Sequence, residues 1–178
     1  DRTRRSTADS GDLFIFWGIW VILALVGHYI LSFTRLFHWI WVNWAAFTFS
    51  GWAYTILHQV RRGRRERILT FAQESVAYLS FACGIAFALA AFALPALKVY
   101  SYNVIPIVIS LISGVFLFSL GGLLRARLML AAGVAWWLGA VVLSFVPDNW
   151  RGLGIVPLLI VGYLVPGLAF RAKFRSGR

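Results

Sequence analysis

Three histidines, six acidic residues and one cysteine are the side chains of this 178-residue chain best suited to move a proton or hold a metal. His28 falls inside an apolar block. It is the candidate ligand for a haem, a pigment or a metal, or else a buried histidine satisfied by a hydrogen bond. Glu74 follows Gln73 at the start of another apolar block. It reads as the partner of a nearby arginine or as a proton or cation site. His38, Asn43 and Asp148 add weak polar character at what would be one membrane surface, and His58 stands at the other. Two histidines and one distant carboxylate lack metal-ligand spacing. Cys83 is alone, which excludes an intrachain disulfide and a CxxC redox pair. No H-E-x-x-H, G-x-S-x-G, Walker A or dinucleotide fingerprint is present. No catalytic constellation is found, so the chain does not read as an enzyme, and its cofactor is left unassigned.

The elements that must position these residues follow from the apolar pattern. Hydrophobic residues make up 61% of the chain and charged ones 13%, with mean hydropathy +0.80. A helix needs about twenty apolar residues to cross the ~30 Å hydrocarbon layer, and the chain holds six such blocks: 13–33, 39–59, 68–94, 104–124, 128–146 and 153–170. They are continuous and not alternating, unlike the strands of a membrane barrel. The fold expected is all-α: a single domain over 1–178 with six transmembrane helices, a cytoplasmic segment 1–12 and a basic tail 171–178. No signal peptide is expected, because the first block is too long and no small-residue cleavage site follows it. Connectors are short, so any site lies between helices or at the membrane surface.

With the N-terminus inside, fourteen of the seventeen Lys and Arg residues fall on the cytoplasmic side. This bias matches the positive-inside rule and places both chain ends in the cytoplasm. The net charge of +11 therefore reads as topology and attraction to anionic lipid, with no nucleic acid expected. Arg61, Arg62, Arg64, Arg65 and Arg67 form the densest basic run, an anchor for lipid head groups or a docking element for an acidic partner. Trp39, Trp41, Trp44 and Trp150 on one side, with Trp17 and Trp20 towards the other, suit interfacial belts.

A short pattern recurs. Gly18-Ile19-Trp20, Gly84-Ile85-Ala86-Phe87 and Gly133-Val134-Ala135-Trp136 fall on alternate helices. Ser50-Gly51-Trp52, Ser113-Gly114-Val115 and Val161-Gly162-Tyr163 fall on the others, each followed by a basic segment. The chain thus reads as three repeated helical hairpins. Gly18, Gly51, Gly84, Gly114, Gly133 and Gly162 are read as helix-packing positions, since glycine admits close backbone approach where lipid gives no hydrophobic drive. Pro166, between Gly162 and Gly167, is expected to loosen the last helix.

Three stretches resemble a family of small multi-pass bacterial membrane proteins of unassigned activity, often encoded beside winged-helix transcription regulators. They are Phe14-Ile15-Phe16-Trp17-Gly18-Ile19-Trp20, Ser113-Gly114 through Gly121-Gly122, and Tyr163-Leu164-Val165-Pro166-Gly167 followed by Arg171 and Lys173. The resemblance implies a bacterial cytoplasmic membrane and a sensory or accessory role. That family has no agreed catalytic residues, so none is carried over.

Three functions stand open. The first is a non-catalytic scaffold, sensor or accessory subunit that binds membrane lipids and another membrane protein or itself. The second is a small transporter or channel, with Glu74 as its ion or proton site. The third is a cofactor- or pigment-binding subunit using His28.

Overall fold

The computed structural model describes the backbone of residues 2–34, 36–63 and 71–175, and their side chains except at 2–11, 37, 59, 61–63, 71–73 and 173–175. Among these residues the regular structure is entirely helical. Helix α1 is Arg2–Ser32, α2 is Ile40–Gly63, α3 is Phe71–Ala88, α4 is Ile105–Leu123, α5 is Arg127–Phe145, α6 is Asp148–Leu159 and α7 is Val165–Arg175. A wider π-turn, Leu89–Ala93, carries α3 on to Leu94–Ala96, and another, Ile160–Leu164, joins α6 to α7.

Among the described residues, five helical stretches are long and apolar enough to cross a membrane: Asp12–Ser32, Glu74–Ala96, Tyr102–Leu123, Arg127–Phe145 and Asp148–Ala172. The chain is therefore a helical multi-pass membrane protein. Helix α2 is long enough but stands outside that set. Its Trp41, Asn43, Trp44, Thr48, Ser50, Trp52, Tyr54 and Thr55 lower its hydropathy, although residues 40–60 hold no acidic residue, lysine or arginine. Two helices begin well before the apolar pattern implies. α1 starts at Arg2, and α6 starts at Asp148, directly after Pro147. An acidic residue in a first turn favours helix initiation.

Large apolar side chains point outward on these helices, with Phe49 72% and Phe145 85% exposed. Such rings face lipid without penalty, so burial inside the protein selects for close fit and not for hydrophobicity alone. The chain divides into two compact units, Asp1–Ile68 with Tyr163–Arg178, and Leu69–Gly162. The contacts thus group the helices in two sets.

In the first unit α1 and α2 run antiparallel, and α7 packs on α1. Gly18 faces Tyr163 and Leu164, and Gly51 faces Trp17 and Trp20. Phe14 lies against Tyr163 with ring centroids 5.8 Å apart, and Asp12 pairs with Arg171 at 3.6 Å.

The second unit is built on the α4–α5 hairpin. Ser110, Ser113, Leu117, Leu120, Met129, Ala132, Trp136 and Ala140 form its core. Here the backbones nearly touch. A Cβ at Gly133 would lie 2.7 Å from Phe118 N and 2.9 Å from Gly114 O, and one at Gly121 would lie 2.7 Å from Leu130 N. Gly114 faces the Trp137 indole, and Gly84 is half-buried in α3. Two helices end on basic residues in the left-handed region, Lys98 (φ 59) and Arg125 (φ 52). The next amides reach back five residues, Val99 N to Leu94 O at 3.0 Å and Ala126 N to Gly121 O at 2.8 Å. This closes the exposed carbonyls, and a cation there also complements the helix dipole.

The two π-turns share one cause. Each ends two residues before a proline, Pro95 or Pro166. Proline brings no N–H and its ring clashes with the carbonyl four residues back, so the helix widens ahead of it. In the first turn the Leu94 N–H bonds to Leu89 O. The Ala90 carbonyl, which Leu94 would serve in an α-helix, accepts the Tyr100 hydroxyl instead. Desolvation pushes the Tyr100 pKa up, so it stays a donor. In the second turn Gly162 faces the buried Trp136 indole, and a Cβ there would collide with its nitrogen.

Candidate functional site

The richest polar arrangement lies along the seam between α1 and α2. Trp17 donates its indole N–H to Thr55 Oγ1 at 3.1 Å. Trp20 donates to the Phe47 carbonyl at 2.9 Å. Asn43 Nδ2 donates to the Ala24 carbonyl at 3.0 Å, and Trp44 donates to His28 Nδ1 at 3.1 Å. Together these four bonds tie the two helices along their length. Gly27 makes room for one of them, since a Cβ there would lie 2.5 Å from Asn43 Oδ1. Within a bilayer such donors have no water to turn to, which favours pairing across helices.

The bond from Trp44 defines what His28 can do. An indole nitrogen only donates, so His28 Nδ1 accepts, and the neutral ring carries its hydrogen on Nε2. Neither nitrogen then offers a free lone pair to a metal. Ligation by His28 requires loss of the Trp44 bond. Asn43, read from sequence as part of an outer polar cluster, turns to the α1 backbone. His38 is exposed.

An aromatic file continues the seam towards its basic end. Trp20 and Phe16 stack at 5.3 Å, Phe16 and Tyr54 at 4.1 Å, and Tyr54 and His58 at 6.0 Å. His58 Nε2 is covered and has no hydrogen-bond partner. An unsatisfied buried polar atom costs about 1–3 kcal/mol. Arg64, Arg65 and Arg67 lie outside the described residues, as do the side chains of Arg61 and Arg62. Glu74 is exposed in the first turn of α3.

The second unit has its own polar cluster where α4 begins and α5 ends. Arg151 Nε donates to the carbonyls of Leu143 at 3.1 Å and Val146 at 2.9 Å. Its Nη1 pairs with Asp148 at 2.6 Å, and Asp148 accepts from Asn103 Nδ2 at 2.7 Å. The guanidinium closes the C-terminus of α5, and the carboxylate ties α6 to the start of α4. Ser110 donates to its own helix at Pro106 O, 2.8 Å away, and Cys83 is a buried free thiol.

Sequence reasoning did not anticipate the Trp17–Thr55, Trp20–Phe47 and Asn43–Ala24 bonds. Indoles read as belt residues, and nothing in their spacing shows a cross-helix donor. Arg151 was legible in part: Asp148 and Arg151 stand three apart just past Pro147, at the spacing of an ion pair at a helix start. Among the described residues, no three His, Cys, Asp or Glu side chains gather to hold a metal ion. Compared with family models, curated proteins and solved structures, the chain finds no match.

Proposed function

We propose that this protein crosses the bacterial cytoplasmic membrane six times, with both ends in the cytoplasm. In this reading it serves as a non-catalytic scaffold, sensor or accessory subunit bound to another membrane protein. The arrangement of three hairpins in sequence and the positive-inside bias support the even number of crossings. Helix α2 supplies the sixth span: it lacks acidic residues, lysine and arginine over residues 40–60, and indoles are well accommodated near the membrane surface. The observation that carries the function is the α1–α2 seam. Its polar side chains bond across the helices, Trp44 to His28 and Asn43 to the α1 backbone, and so satisfy one another. That suits a rigid binding module more than a carrier, whose polar groups line a path near the midplane. The basic run Arg61, Arg62, Arg64, Arg65 and Arg67 is the cytoplasmic docking element.

Purification from native membranes in a mild detergent, followed by mass spectrometry, tests this. A second protein is expected at fixed stoichiometry, and changing the five arginines to glutamine is expected to release it. A protein that purifies alone and passes solute in liposomes would instead be a transporter.

A further inference from the structure

Of the four bonds along the α1–α2 seam, one can be broken by a proton. Trp17, Trp20 and Asn43 give their N–H groups to a hydroxyl and to backbone carbonyls, which do not titrate. Trp44 gives its indole N–H to His28 Nδ1, an acceptor that takes up a proton near neutral pH. Both rings stand near the same end of the seam. His28 is four residues before the end of α1 at Ser32, and Trp44 four residues after the start of α2 at Ile40. Each is about 6 Å from its helix end at the usual rise, and His28 is half-buried.

The titratable groups around His28 come from each element packed there. On α1 the Tyr29 ring meets it edge-on at 5.3 Å. The turn Phe37–Trp39, packed on both helices, brings exposed His38. Residues 40–60 of α2 bring no acidic residue, lysine or arginine. Helix α7, packed on α1, brings Arg171, which pairs with Asp12 towards the other end of α1. Among the described residues of this unit, no carboxylate therefore stands beside His28 to hold an imidazolium. A protonated imidazole carries hydrogen on both nitrogens and accepts nothing. Protonation sets two donors against each other at the present 3.1 Å, and an indole N–H without an acceptor is costly in an apolar layer. We propose that His28 and Trp44 form a proton-sensitive clasp. Uptake of a proton by His28 opens this end of the seam, while the Trp20 and Trp17 bonds keep the rest closed. An imidazole in water takes its proton at about pH 6.5. The closed seam is thus favoured above that pH and loses ground below it. The clasp rests on the membrane reading above and gives the sensory role a stimulus, acid at one membrane face.

The full chain in lipid nanodiscs would carry spin labels at two exposed sites, Ile30→Cys and Val42→Cys, in a Cys83→Ser background. Pulsed EPR distances should show a second, longer population on acidification. Its ratio to the first should rise about 30-fold between about pH 7.5 and about pH 5, the change that one proton linked at about pH 6.5 dictates. Nitrogen NMR of isotope-labelled histidine, with His38→Gln and His58→Gln, should show the neutral His28 ring carrying its hydrogen on Nε2. The imidazolium should appear in step with the longer distance. His28→Gln keeps an acceptor for Trp44 and does not titrate, so it should stay closed throughout. Trp44→Phe should abolish the pH dependence. A distance that does not change with pH overturns the clasp, as does a neutral His28 with its hydrogen on Nδ1. A pH response retained in His28→Gln overturns it as well. If the clasp fails while a protein partner is still retained, the clasp alone falls.

Discussion

Gly133→Ala is expected to lower the stability of the folded protein by about 2–3 kcal/mol, the upper range for overpacking a tight interior. The added carbon would meet backbone atoms, Phe118 N at 2.7 Å and Gly114 O at 2.9 Å. A flexible side chain could turn away, but a helix backbone cannot, so α4 and α5 must separate. Gly122→Ala is the control on the same hairpin. Nothing lies within 4 Å of that position, and replacing a glycine with alanine there, in the last turn of α4, should gain at most about 0.5–1 kcal/mol. Unfolding in detergent or bicelles, followed by helicity and by pulldown of the intact fold, separates the two. Equal effects would mean that the hairpin does not depend on backbone contact at Gly133.

The second large effect is at Arg151. Its guanidinium serves the Leu143 and Val146 carbonyls and the Asp148 carboxylate together. Removing it in Arg151→Ala leaves the end of α5 open and Asp148 without its cation. A loss of about 2–3 kcal/mol is expected, the scale of a hydrogen-bonded charge whose partners are left behind. Arg151→Lys should restore little, because a single ammonium cannot reproduce the planar fork. Thermal unfolding of the three proteins in one detergent measures this. Full rescue by lysine would reduce the cluster to a simple charge contact.

The helices were legible because lipid demands long apolar runs, and five of the six blocks read from the sequence match helical stretches long and apolar enough to cross a membrane. Their ends were less so. Asp148 starts α6 ahead of its apolar stretch, and α1 continues back to Arg2 through polar residues. The looseness expected near Pro166 takes a definite form, a π-turn that Pro95 repeats in α3. The proline marks such a turn in the sequence, but the donor that answers the freed carbonyl, Tyr100 for Ala90, comes from elsewhere in space and leaves no periodic trace. The seam was hidden for a similar reason. Trp17, Trp20 and Trp44 have the positions of belt residues, and their N–H groups find Thr55, Phe47 and His28 only once α1 and α2 lie together. The grouping of helices into two units depends on which faces fit, which apolar composition does not encode.

The number of crossings decides the membrane architecture most directly. Cysteines placed singly near the two ends, Ser6→Cys and Ser176→Cys, in a Cys83→Ser background, would be labelled with a membrane-impermeant maleimide. Six crossings, with α2 among them, predict that both sites react in inverted vesicles and neither reacts in intact cells. Labelling from opposite sides would mean an odd number of crossings. It would leave α2 outside the bilayer and contradict the cytoplasmic placement of both ends.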